Sequence, residues 1–229
     1  MTKEFGEAFL DEAERHAAWG AEQLGALTAF LPEGPWTADL PSCVYRQGDV
    51  ELRVAVLGTY DEQERSWMWG WANPGLRGTP MVSLTEEAER FGRAHGIGEF
   101  TSGVLDLSGF ADPRRAAETL AFAGMGVVRA AGYIGVSAGP GTRVYFLPDD
   151  PRVPRAALDP VALARTLLTA TGLFGRSPRR LVTGYFEHHG APCRESEHQV
   201  VAGLPGGDTA EVDFDSLGRI SGVRVTARR

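Results

Sequence analysis

Residues 188–198 read HHGAPCRESEH and hold three of the chain's five histidines and one of its two cysteines. Imidazole nitrogen and thiolate sulfur are donors that zinc prefers, and His189, Cys193 and His198 have a spacing that a loop can close around an ion. A structural zinc site usually pairs its ligands about two to four residues apart at both ends, and here the second pair is missing. A thiol beside an imidazole is also an activated nucleophile, with His188 or His198 as the base for Cys193, but no flanking motif accompanies the pair. The stretch therefore reads first as a solvated polar connector, with metal binding at His189, Cys193 and His198 as the sharper alternative.

Trp67, Trp69 and Trp71 alternate within Ser66 to Ala72. A strand period of two would point all three rings to one face. Such a row either fills a thick core, each ring burying about 150–250 Å², or serves as a ligand platform or partner anchor, where tryptophan is enriched. Trp67, Trp69 and Trp71 are thus the candidate binding residues, although Leu52, Leu57 and Tyr60 on neighbouring strands need the same burial.

Other patterns carry less. Gly124-Met125-Gly126 and Gly139-Pro140-Gly141 lack the strand-then-helix context and the Gly-Lys-Ser/Thr ending of phosphate loops, and read as turns. Glu211, Asp213 and Asp215 alternate on one strand face opposite Val212 and Phe214, as a half-buried hairpin would. Arg176, Arg179 and Arg180 form a compact basic spot beside Ser177-Pro178 that would suit a phosphate or an acidic partner. No catalytic residue is assigned, no cofactor is expected, and the chain reads as a binder more readily than as an enzyme.

The elements that must carry these residues follow from periodicity and punctuation. Phe5, Phe9, Ala13, Ala17, Leu24, Leu27 and Leu31 make one apolar stripe, which predicts a long helix over Lys3 to Leu31, bent or broken near Gly20 or Gly25. Short runs at Trp36 to Leu40, Val44 to Gln47, Val50 to Tyr60 and Ser66 to Ala72, separated by turn chemistry, predict an antiparallel meander. Ser83-Leu84-Thr85-Glu86 is a capping box before a helix to about His95. Phe100 to Leu107 reads as a strand, Asp112-Pro113 opens a helix to about Ala123, and Gly124 to Gly132 is a loop or frayed end. Tyr133 to Ala138 and Thr142 to Leu147 form a second hairpin. Asp159-Pro160 opens a helix ending at Gly172, and Ser177 to His189 is read as a helix, although Leu181 to His188 also has strand-like residues. Gln199 to Leu204, Thr209 to Phe214 and Ile220 to Thr226 close the chain as a small antiparallel set.

Leu57-Gly58-Thr59-Tyr60, a polar turn, and Ser66-Trp67-Met68-Trp69-Gly70-Trp71-Ala72-Asn73-Pro74 resemble the signature of a family of uncharacterised bacterial proteins, a domain of unknown function. The Phe9-Leu10 to His16 helix and the helix ending His95-Gly96 are similar to that family as well. The resemblance spans roughly Phe5 to Gly190 and implies kinship without an activity or site residues to carry over.

Composition bounds the rest. A chain of 229 residues that is 43% hydrophobic can bury a core without disulfide or metal staples. Its net charge of −7 repels phosphate backbones and argues against nucleic acid as a partner. No apolar stretch approaches the ~18 residues of a membrane span, and no targeting segment is read, so a cytoplasmic chain with reduced thiols and no membrane partner is expected. The expected fold is α+β, a mainly antiparallel sheet covered by several helices, with residues 1–190 as the main domain. Residues 191–229 form a C-terminal β extension, joined to that domain or appended to it. The expected function is non-enzymatic protein binding, of immunity or regulatory type. The alternative is a small-molecule-binding protein or enzyme with a pocket lined by the Trp67/Trp69/Trp71 strand.

Overall fold

A computed structural model describes residues 2–228. It is an α+β protein with seven α-helices and two antiparallel sheets among those residues. The chain divides into two compact units, one of residues 2–9 and 23–155, the other of residues 10–22 and 156–228. The division falls at 155/156 rather than at 190, and the second unit includes a piece of the N-terminal helical run.

That run forms two helices, α1 (Glu7–Arg15) and α2 (Ala17–Phe30). The break lies at His16, not at Gly20 or Gly25, both of which sit inside α2; Gly20 N–H donates to the His16 carbonyl at 2.7 Å.

In the first unit, β1 (Trp36–Asp39), β2 (Val44–Gln47), β3 (Val50–Asp61), β4 (Ser66–Trp69) and β5 (Val104–Asp106) pair in chain order. The hairpin β6 (Ile134–Gly139) and β7 (Thr142–Pro148) joins through β7, which lies along β3 from Val54↔Pro148 to Asp61↔Thr142. The twelve-residue β3 is therefore the spine, pairing with β2, β4 and β7. Its Val-rich, alternating sequence suits a strand with a covered face. The core beside it gathers Tyr45, Leu52, Val54, Val56, Met81, Val82 and Phe146.

Three helices complete this unit: α3 (Ser83–His95), α4 (Gly98–Thr101) and α5 (Pro113–Val127). The Ser83 capping box does not form, because a 3-10 turn over Pro80–Val82 runs directly into α3 and makes Ser83 its first helical residue; the Ser83 hydroxyl bonds back to the Pro80 carbonyl at 3.0 Å. Phe100 belongs to α4 rather than to a strand, leaving only Val104–Asp106 paired with β4. Asp112 caps α5 as expected, accepting from Arg115 N at 2.9 Å, and α5 continues through Gly124 and Gly126 to Val127 because both glycines are buried in its packed face.

In the second unit, α6 (Leu163–Phe174) and α7 (Pro178–His188) precede a sheet ordered β11-β10-β9-β8, with β8 (Cys193–Glu195), β9 (Gln199–Gly203), β10 (Thr209–Phe214) and β11 (Ile220–Thr226). The helical reading of 177–189 holds: Ser177 accepts from Arg180 N at 3.3 Å and Pro178 is the first helical residue. Helix α6 starts at Leu163 instead of Pro160, since the Asp159 carboxylate turns back to Val161 N at 2.9 Å and holds that segment as a turn. Alternation along β10 buries Ala210, Val212 and Phe214, as the hairpin pattern requires. Strand β8 lies within the stretch that reads as a polar connector, and it pairs with β9 from Cys193↔Ala202 to Glu195↔Val200. Among the described residues no helix is long and apolar enough to cross a membrane.

Gly58 is one of the positions where close approach requires glycine. A Cβ there would stand 2.4 Å from the Trp67 ring and 2.7 Å from the Met68 carbonyl. Gly58→Ala is expected to lower stability by about 1–3 kcal/mol through overpacking. Gly25 in α2 is exposed with nothing within 4 Å of a built Cβ, so Gly25→Ala is expected to raise stability by about 0.5–1 kcal/mol. Denaturant midpoints at unchanged m-value measure both, and equal effects would contradict this reading of the packing.

Candidate functional site

The residues with the most chemistry around them lie in the second unit, where 10–22 lines up with α7. Glu14 is only 1% exposed, yet its carboxylate is satisfied: Oε1 accepts from Arg176 N at 2.8 Å and Oε2 from Ser177 N at 2.6 Å. These N–H groups open α7, where free donors and the positive end of the helix dipole favour an anion. Asp11 pairs with Arg180 at 2.6 Å and with Arg176 at 3.4 Å, and Arg15 pairs with Glu187. Between them Gly184 gives room for the backbone of the first helix, since a Cβ on it would stand 2.0 Å from the Arg15 carbonyl.

One turn further on, His16 Nδ1 and His188 Nε2 share a hydrogen bond of 2.8 Å, one ring donating to the other. His16 Nε2 lies 3.0 Å from the Glu12 carboxylate, and the His188 ring stacks on Trp19 with centroids 3.9 Å apart and planes 2° from parallel. His189 turns to Glu22, with Nε2 to Oε2 at 3.6 Å, and its ring meets Tyr185 edge-on at 4.6 Å. The other Glu22 oxygen accepts from Thr166 Oγ1 at 2.8 Å. Burial, and after it the charge of Glu22, push the Tyr185 phenol well above its ordinary range, so it stays protonated.

Against this geometry the sequence candidates can be placed one by one. His189 is drawn into the Glu22 and Tyr185 cluster, His198 is largely exposed, and Cys193 is on β8. Among the described residues no group of three or more His, Cys, Asp or Glu side chains is arranged to hold a metal ion, so the chain does not bring His189, Cys193 and His198 together as a ligand set. Burial, then Glu195 and Glu187, push the Cys193 thiol up, with Arg15 opposing; this is the reverse of what an activated nucleophile needs.

Trp67 and Trp69 are 0% exposed and pack edge-on at 5.2 Å, with Trp67 beside Tyr145 and Trp69 beside Phe100. Trp69 Nε1 donates to the Glu99 carbonyl at 2.8 Å. The third ring does not continue the row: the strand ends at Trp69, and Trp71 lies in a 3-10 turn over Gly70–Ala72. A titratable cluster does adjoin Trp67, with Tyr133 and Tyr145 both donating to Glu118 at 2.9 Å, but the two buried rings present no surface to a ligand.

The charged patterns are consumed internally. Arg176 and Arg180 serve Asp11, while Arg179 donates to the Ser196 and Glu197 carbonyls and lies 4.5 Å over the Phe214 ring. Arg224 pairs with Glu211 at 3.0 Å and Asp213 at 2.9 Å, and Arg219 pairs with Asp215.

What the second unit leaves open is a cleft of about 420 Å³ between Ala18, Ala21 and Glu22 of α2 and Thr166, Thr169 and Leu173 of α6. Its walls are mostly apolar, with the Glu22 carboxylate on one side and Arg165 on the other. His16, which as an isolated histidine reads as lying at a helix surface or end, is instead 4% exposed and bonded to His188; Glu14, Trp19 and Glu22 lie beside the apolar stripe of the N-terminal helical run, where spacing alone does not mark them.

Fold and geometry together define an α+β protein of two compact units, the second with the buried Glu14 and His16 bonded to α7 and the residues that open it. Residues 7–151 match a family of unknown function, DUF6882, and the chain belongs to that family. The match is shorter than the span from Phe5 to Gly190 suggested by the resemblance. No curated protein and no solved structure matches the chain.

Cys193 is expected to react with iodoacetamide at neutral pH more slowly than an unperturbed cysteine, the rate rising as pH approaches its elevated thiol range. Mass spectrometry of the alkylated peptide measures this, and rapid labelling at neutral pH would contradict it.

Proposed function

We propose that this chain is a cytoplasmic bacterial protein that acts by binding another protein, in an immunity or regulatory role, and that it does so through its second unit. The observation that carries this reading is where apolar surface is left uncovered. Of the exposed large apolar side chains among the described residues, Val161, Leu168, Leu173, Leu217 and Val225 belong to the second unit, and only Leu40 and Val104 to the larger first one. Contiguous apolar surface marks interaction sites, and Leu173 joins the apolar wall of the cleft in this unit. The cleft beside Leu173 has the apolar walls and polar flank of a groove that takes an apolar anchor from a partner helix. An acidic chain favours a basic partner.

A ligand pocket on the tryptophan strand draws less support, since Trp67 and Trp69 have no exposed surface. The test is affinity capture from native lysate with wild-type protein, Leu173→Glu and Trp69→Phe, each first shown to be folded by circular dichroism. A stoichiometric partner held by the wild type and by Trp69→Phe is expected to bind Leu173→Glu about 30-fold more weakly, the loss of one anchor worth ~2 kcal/mol. Absence of any stoichiometric partner, or undiminished capture by Leu173→Glu, would sink the reading.

A further inference from the structure

The first unit has a second cleft, of about 440 Å³, lined by Arg53, Arg129 and Arg155 together with Asp149 and Asp150. Its position is set by the end of α5. Arg129 N–H bonds the Gly126 carbonyl at 3.1 Å and Ala130 N–H bonds the Met125 carbonyl at 3.0 Å, the double closure of a Schellman turn. The residue that must turn left-handed in such a closure is Arg129, with φ of 49°. Glycine ordinarily fills that place, because a side chain there is strained. The same chain follows the rule elsewhere: α3 and α6 end on Gly96 and Gly175, each with φ of 69°. At α5 an arginine takes the strained position, and the backbone is held there by Arg155, whose Nη1 donates to the Arg129 carbonyl at 2.6 Å.

The charges around it are unevenly matched. Arg53 is tied to Asp149 through its carbonyl at 2.9 Å and its carboxylate at 2.7 Å. Asp150 is taken by Arg152 at 2.7 Å, which holds its carboxyl far below the usual range, and by Arg53 N at 3.2 Å. Both carboxylates of the cleft are thus engaged. The Arg129 guanidinium has no hydrogen bond or ion pair among the described residues. Arg129 lines the cleft and is exposed, and a planar fork of donors is complementary to carboxylate or phosphate oxygens. Leu84, Val128 and Val153 supply apolar wall beside it.

We infer that this cleft binds a small molecule carrying an oxyanion, carboxylate or phosphate, on an apolar body, with Arg129 and Arg155 as the anion-binding pair. At the end of α5 the left-handed arginine costs the fold something that glycine would not; Cys43 and Arg65 share that conformation, and of the three only Arg129 lines this cleft. The inference does not depend on the second unit or on any protein partner.

The probes are phenyl phosphate, phenylacetate and inorganic phosphate, each titrated into the intact chain by thermal shift and calorimetry against sodium chloride at matched ionic strength. At about 10 mM, phenyl phosphate, phenylacetate or both are expected to raise Tm by at least about 2 °C, with inorganic phosphate weaker. Whichever aromatic anion binds more tightly identifies the preferred oxyanion. Arg129→Gly is expected to melt no lower than the wild type, because the strain is relieved, and to bind the aromatic anion at least about 10-fold more weakly. Arg129→Asn, which also tolerates the left-handed region, is a second variant with the same expectation. No response beyond the salt control, or unchanged affinity in both variants, would overturn the site.

Discussion

A carboxyl group that is 1% exposed is costly to bury unless hydrogen-bond donors reach it, and Glu14 is met by the backbone N–H groups of Arg176 and Ser177 at the start of α7. The constraint works in both directions. The helix start needs an acceptor, the acid needs donors, and the pair fixes residues 10–22 against α7 in one register. Once that register is set, Asp11 reaches Arg176 and Arg180, Arg15 reaches Glu187, His16 and Trp19 bracket His188, and Glu22 reaches His189. A shift by one residue would misplace every one of these contacts. Ala18, Ala21 and Glu22, one wall of the apolar cleft, are held in position by the same ladder.

This arrangement explains why conspicuous charges in the chain are not free to bind anything. The arginines at 176, 179 and 180, and the acidic row at 211, 213 and 215, are all committed to partners inside their own unit. Exposed pairs of this sort contribute little stability each, but they remove the electrostatic patches that the residue types alone suggest. The two clefts, one beside Leu173 in the second unit and one lined by Arg129 in the first, lie outside these pairings. These are the two places on which the functional proposals rest.

Much of the fold was legible in the sequence because it rests on local rules. The meander through β3, the Gly-Pro-Gly hairpin, the Asp112-Pro113 and Ser177-Pro178 helix starts and the C-terminal strands all follow from turn and cap chemistry acting within a few residues. The misreadings have a different origin. The continuation of α5 through Gly124, which packs on Leu57 and Trp69, and the close approach of Gly184 to Arg15 beside the break at His16 involve neighbours distant in sequence, whereas the Ser83 cap fails because the Pro80–Val82 turn runs into the helix. The tryptophan row was read as three rings on one face, but only two belong to the strand, because Gly70 begins a turn. The histidine and cysteine stretch drew attention by density alone. Its most constrained member, His188, is matched by His16 and Trp19 from a segment 170 or so residues away, a pairing that spacing cannot reveal.

The most direct test of this organisation is native-state hydrogen exchange on the full chain, wild type against the near-isosteric Glu14→Gln. If the buried carboxylate fixes residues 10–22 on α7, the variant exchanges at least about 10-fold faster across 10–22 and 178–188, while the β3 and β7 amides at 50–61 and 142–148 keep their protection. Unchanged protection in α7, or an even loss across both units, would contradict it.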